Sequence, residues 1–218
     1  MAFLKDSDRE AIGKRLSALG QGVKLIVFTQ EMECMFCKET RELMEEVGSL
    51  SNKVAVEVYD FVKDKEKAES FGIDKIPAIA VIAEDNTDYG IRFYGIPSGY
   101  EFMSLLESFD LVSSGDSGLA EPTRDKLKEL KDPVNLQVFV TPTCPYCPQA
   151  VVLAFKFAVE NPLITANMVE ATEFPHLSTR YGIGGVPHTV ISEEAEPLVG
   201  AQPEWTAVQA IIEAAAKK

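Results

Sequence analysis

All four cysteines of the 218-residue chain fall into two C-x-x-C pairs, Cys34-Met35-Phe36-Cys37 and Cys144-Pro145-Tyr146-Cys147. Two thiols at this spacing can close into a disulfide. As thiolate and thiol, they can also attack a foreign disulfide and then resolve the mixed disulfide that forms. The competing use of such pairs is a metal: four thiolates converging tetrahedrally on zinc. Here the pairs stand 110 residues apart and lack knuckle glycines, so the spacing favours redox chemistry. A thiol at the start of a helix meets unsatisfied backbone N–H groups and the positive end of the dipole, which favour the thiolate. On this reading Cys34 and Cys144 are the nucleophiles and Cys37 and Cys147 the resolving thiols. Cys144 is expected to carry most of the catalysis, because Pro145 pre-sets the turn of its motif.

The surroundings of the two pairs repeat. Pro77 lies 43 residues after Cys34, and Pro187 lies 43 after Cys144. Phe71-Gly72-Ile73-Asp74-Lys75-Ile76-Pro77 aligns with Tyr181-Gly182-Ile183-Gly184-Gly185-Val186-Pro187, and Val58-Tyr59-Asp60 with Met168-Val169-Glu170. Upstream, Leu25 to Phe28 meets Leu136 to Phe139 at an offset of 111, so the first copy carries one extra residue before its cysteine. Units of this length are domain-sized, unlike the repeats of a stacked solenoid. The expected organisation is an N-terminal unit at 1–115 and a C-terminal unit at 119–218, with the small polar run Ser113 to Gly118 as the boundary.

The elements that must position the cysteines follow from hydrophobic periodicity. Strands are predicted at 23–29, 54–60, 78–83 and 90–94, and again at 134–140, 164–169, 187–191 and 196–200. Helices are predicted around Ile12, Leu16 and Leu19, then at 36–50 and 63–71. Further helices are expected after a capping box at Ser98-Gly99-Tyr100-Glu101, at 123–131, 147–160 and 173–181, and after Pro203. Helix 147–160 is apolar nearly all round, which points to burial between the two copies. Trp205 is assigned to the core, His176 to the surface and His188 to a rim.

Strand, C-x-x-C, helix, strand, helix, then an apolar-Pro pair and two strands resembles the thioredoxin fold, and Cys-Pro-Tyr-Cys is similar to the glutaredoxin motif. Two such units in one chain resemble the glutaredoxin-like protein disulfide oxidoreductases of thermophilic archaea and bacteria. The fold class implied is α/β, two tandem thioredoxin-like units, each a central mixed sheet flanked by helices. The resemblance implies that Pro77 and Pro187 are cis-prolines and that Ile76 and Val186, just before them, pair with the substrate chain. It implies protein disulfides as substrates, exchanged by reduction, oxidation or isomerisation, and no cofactor beyond the redox-active disulfides. A flavoprotein similar to thioredoxin reductase is the implied electron source. A second resemblance, to the N-terminal part of alkyl hydroperoxide reductase flavoproteins, implies a dithiol carrier between a flavin reductase and a peroxidase.

The chain departs from these relatives at informative places. Glu33 and Thr143 stand where thioredoxins carry Trp, and Phe28 and Val138 stand near the place of their buried strand carboxylate. Glu31 and Glu33 are then the candidate proton acceptors, at the first site only. After Gly200 the chain reads Ala201-Gln202-Pro203 in place of a glutathione-binding patch, which favours protein disulfides over glutathione.

With 21 basic and 34 acidic side chains the formal charge is −13, so nucleic acid and anionic membrane surfaces are not expected partners. The N-terminal residues turn charged at once, and the expected location is the cytoplasm.

Overall fold

The computed structural model describes residues 3–216. In chain order the elements are α1 (Asp6–Ser17), β1 (Val23–Thr29), α2 (Cys37–Gly48), β2 (Val54–Asp60), α3 (Lys65–Ser70), β3 (Ala78–Ala83), β4 (Ile91–Tyr94) and α4 (Glu101–Ser114). The second half continues with α5 (Glu121–Leu127), β5 (Val134–Val140), α6 (Cys147–Glu160), β6 (Ile164–Glu170), α7 (Pro175–Arg180), β7 (His188–Val190), β8 (Leu198–Val199) and α8 (Glu204–Ala215).

The strands form one eight-stranded sheet in the order β2-β1-β3-β4-β6-β5-β7-β8. The first four and the last four repeat the same local order. The halves join where β4 pairs in parallel with β6, Ile91 opposite Ala166 and Tyr94 opposite Val169. The separate sheets implied by the tandem reading are thus one. Phe93 on β4 meets Phe155 on α6 edge-to-face, with ring centroids 5.1 Å apart, and both rings are fully buried.

Strand direction fixes where the cysteines go. β1 runs antiparallel to β3 and β3 antiparallel to β4, while β4, β6 and β5 are mutually parallel. β1 and β5 therefore point the same way, and both C-x-x-C turns open at one end of the sheet. Four strand spacings separate them, roughly 19 Å. The larger core lies between the sheet and α1, α2, α4, α5, α6 and α8. A smaller one covers the opposite face around Phe28, Ala68, Tyr94, Phe139 and Phe174.

Several expectations are corrected. Helix α4 runs through Ser113 and Ser114 and ends at Gly115, whose φ of 63° closes it in the left-handed region. The polar run expected to mark the boundary is partly helical and partly buried: Ser113 bonds Gln21 and Ser117 bonds Glu160. The capping box at Ser98 does not form, because Glu101 is the first helical residue and no side chain caps the helix. Trp205 is half exposed; Ala207, Val208, Ile211 and Ala214 form the inward stripe of α8 instead. His188 is buried, not at a rim, and its Nε2 has no hydrogen-bond partner. Burial pushes its pKa down, which keeps the ring neutral.

Candidate functional site

Each C-x-x-C pair occupies the turn between a parallel strand and a long helix. Both pairs are disulfide-bonded, with Cα atoms 5.5 Å apart. The helices begin at the second cysteines, Cys37 and Cys147, and Cys34 and Cys144 lie in the preceding turn. The extra residue of the first copy is absorbed here by Glu33, with φ of 59°. Cys37 and Cys147 are buried; Cys34 is half-buried, and Cys144 keeps 8% of its surface accessible. The residues between them project into solvent, Met35 at 83% and Tyr146 at 68% exposed.

Pro77 and Pro187 stand at the start of β3 and β7, and Ile76–Pro77 and Val186–Pro187 are cis peptides. The Val186 carbonyl lies 3.7 Å from Cys144 Sγ. Ile76 takes the same place in the first half, since β3 pairs Ala78 with Phe28 on the strand that leads to Cys34. The first site also borders a cleft of about 540 Å³ lined by Cys34, Cys37, Lys38, Arg41, Tyr59, Asp60 and Lys63 among others. Glu31, expected near this site, does line the cleft, and it is exposed, as is Glu33. Asp60 accepts N–H bonds from Lys63 and Val62, which hold its carboxyl below the ordinary range.

In the second half the β4–α4 connection crosses the equivalent place. Ile96 donates its N–H to Glu173 Oε1 at 2.7 Å, and Tyr100 donates its own to the Pro142 carbonyl at 3.0 Å. A Cβ on Gly95 would run into Glu170 and Glu173, and one on Gly99 into the Pro142 backbone. The same connection delivers a residue that sequence reading missed. Glu101 opens α4 and is 1% exposed; its Oε2 accepts a bond from Ser104 Oγ at 2.6 Å, while the buried Oε1 has no partner. Helices α4 and α6 both start at the site end of parallel strands and pack together, so Glu101 lies at the same end of the sheet as Cys147. Burial pushes the Glu101 pKa up to about 7, despite the Ser104 bond. Glu173 is likewise raised to about 7 by burial, with the neighbouring Glu170 charge adding to it. The available signal for Glu101 was a carboxylate in an otherwise apolar helix start, and it was absorbed by the capping-box pattern.

Among the described residues no group of three or more His, Cys, Asp or Glu is arranged to hold a metal ion, and no helix is long and apolar enough to cross a membrane.

Known proteins share this geometry. The model of a thioredoxin domain matches residues 134–213. A protein disulfide oxidoreductase from Aeropyrum pernix K1 superposes with a TM-score of 0.91 at 30% identity, covering 100% of this chain and 96% of its own. The chain belongs to the protein disulfide oxidoreductases of the thioredoxin fold. The alkylhydroperoxide reductase AhpF of Enterococcus faecalis V583 is also similar, with a TM-score of 0.88 at 27% identity over 96% of this chain and 100% of that one. The corresponding reductase of Staphylococcus epidermidis is 29% identical over 136 residues, which are 62% of this chain and 24% of that protein. The chain thus spans about a quarter of the length of the curated relatives it matches. As a protein disulfide oxidoreductase it holds two C-x-x-C pairs at one end of one sheet, the first beside an open cleft and the second with both cysteines buried.

Proposed function

We propose that this protein catalyses thiol–disulfide exchange on polypeptide disulfides through Cys34–Cys37 and Cys144–Cys147, and that it is built as two thioredoxin-like units, 1–115 and 119–218. The observation that carries the reading is the Val186 carbonyl set 3.7 Å from Cys144 Sγ, which puts a free peptide edge beside a sulfur at a helix start. Ile76 and Val186 would pair with the backbone of the client, and Pro77 and Pro187 offer no N–H to compete.

In the reductive direction the Cys144 thiolate attacks one sulfur of a client disulfide and expels the other as a thiolate. Cys147 then loses its proton and attacks Cys144 Sγ, releasing the second client thiolate and closing the Cys144–Cys147 disulfide. Two electrons pass to the client. The Glu101 carboxylate, held near neutrality by burial, is the proton acceptor for Cys147. Electrons return from a dithiol or flavoprotein reductase. The reverse sequence oxidises a client dithiol.

The test is exchange with a disulfide-bonded protein whose reduction is followed by mass. The wild-type chain should turn over, and the Cys34→Ser/Cys144→Ser variant should be inert; turnover by that variant would refute the assignment. The likeness to the alkyl hydroperoxide reductases supports a second reading, a dithiol carrier between a flavin reductase and a peroxidase. Turnover confined to one peroxidase, with generic protein disulfides untouched, would favour it.

A further inference from the structure

The covered second site is a template for what the open first site holds. Met168, Val169, Glu170 and Glu173 correspond to Val58, Tyr59, Asp60 and Lys63, and Pro142 to Glu31. In the second half β4 pairs with the outer edge of β6, and residues 95–100 then cross Glu170, Glu173 and Pro142. In the first half β2 is the last strand of the sheet, and Glu31, Asp60 and Lys63 line the open cleft of about 540 Å³.

The free edge is a backbone edge. Val23 bonds to the Lys53 carbonyl, and Phe61 donates to the Thr29 carbonyl. In a parallel ladder only alternate residues bond a given neighbour, so the odd residues of β2 face β1. The N–H and C=O groups of Val56 and Val58 point outward. Ala166, the counterpart of Val56, donates across the equivalent edge to the Gly90 carbonyl at 2.9 Å.

Side chains decide what fits. Where α6 presents Val151 and the buried Phe155 to α4 and β4, α2 presents Arg41 and Glu45, ion-paired at 2.7 Å and open to solvent. A whole folded unit docking as the first half docks on the second would bury this pair against apolar groups, which is costly. An extended segment touches only the strand edge and the cleft. Around that cleft Met32, Met35 and Val62 are 76%, 83% and 69% exposed, an adaptable apolar rim.

We propose that the outer edge of β2 and the cleft beside Cys34 receive an extended client segment, added parallel to β2 and then crossing Cys34 as residues 95–100 cross the second site. The proposal rests on the redox reading of Cys34 and names where its client lies.

The experiment traps the client. A Cys37→Ser/Cys144→Ser/Cys147→Ser chain is mixed with a peptide carrying an alternating Val-Thr run, a glycine and then one cysteine. That cysteine is activated as a mixed disulfide with an aromatic thiol. The Cys34 thiolate displaces the aromatic thiolate and retains the peptide. Hydrogen exchange at the Val56 and Val58 amides should slow at least about tenfold on trapping. In a first-site enzyme lacking Cys144 and Cys147, Val58→Pro should lower the ratio of peptide-disulfide to small aromatic disulfide turnover about tenfold. Unchanged amide exchange in the mass-verified adduct, or an unchanged ratio, overturns the strand addition alone. A Cys34 that forms no adduct removes the redox role of the first site and this proposal with it. Protection that appears without peptide as the chain self-associates assigns the edge to a second copy and also overturns it.

Discussion

Tyr100 donates its backbone N–H to the carbonyl of Pro142 at 3.0 Å, so a residue from the first half of the chain holds the loop that leads into Cys144. The second cysteine pair is built on both halves, and the first pair is built on one. Unequal behaviour of the two sites follows from that geometry.

Cys144→Ser is expected to lose more protein-disulfide turnover than Cys34→Ser. The second site has the Val186 carbonyl 3.7 Å from Cys144 Sγ, and the loop into Cys144 is held by Tyr100 of the first half. Side-by-side rates of the two single variants decide it, and equal losses would deny the asymmetry.

Glu101→Gln should slow the resolving step at the second site, by about 10²-fold if proton removal from Cys147 limits the rate. The mixed-disulfide intermediate should then accumulate in rapid quench. The wild-type rise of this step with pH through about 7 should flatten. An unaltered pH profile would exclude the carboxyl from proton transfer.

Stability should fall as pH rises from the ordinary carboxyl range to neutrality. Glu101 and Glu173 both have folded pKa values raised to about 7, so the folded chain holds these protons more tightly than the unfolded chain. The stabilisation is complete below the unfolded pKa. It is lost progressively as pH climbs to about 7 and stays lost above it. Glu101 alone accounts for about 3 kcal/mol over this window. Thermal melts of the wild type and Glu101→Gln between pH 4 and 9 should converge toward low pH and part near neutrality, with the variant the more stable.

Gly99→Ala should destabilise the fold by about 2–3 kcal/mol. Its φ is +60°, and the added Cβ meets the Pro142 backbone, which has no room to yield. Because Pro142 precedes Cys144, turnover at the second site should drop more than at the first, measured with each site isolated by serine substitution.

Phe155→Ala removes the ring that Phe93 meets from across the junction and should cost about 3–5 kcal/mol. Denaturant unfolding of the wild type should be a single transition, and the variant should separate the two halves into two.

The sequence by itself determined the local plan. The placement of β1, β2, β3, β5 and α6, the two cysteine turns and the two X-Pro positions were all legible. Each is set by residues near in the chain, through hydrophobic period, turn chemistry and the repeat at 110. The apolar circumference of α6 also announced a helix buried on several sides. Tertiary structure alone decided that the halves share one sheet through β4 and β6, since an edge strand and a paired strand carry the same alternation. It decided that Glu101 faces a buried junction while Trp205 faces water, because periodicity reports that a helix has an inward face but not which distant element covers it. It also decided that the first half of the chain crosses beside the second cysteine pair while the first pair borders an open cleft, a difference that arises only when segments roughly 40 to 80 residues apart in the chain come into contact.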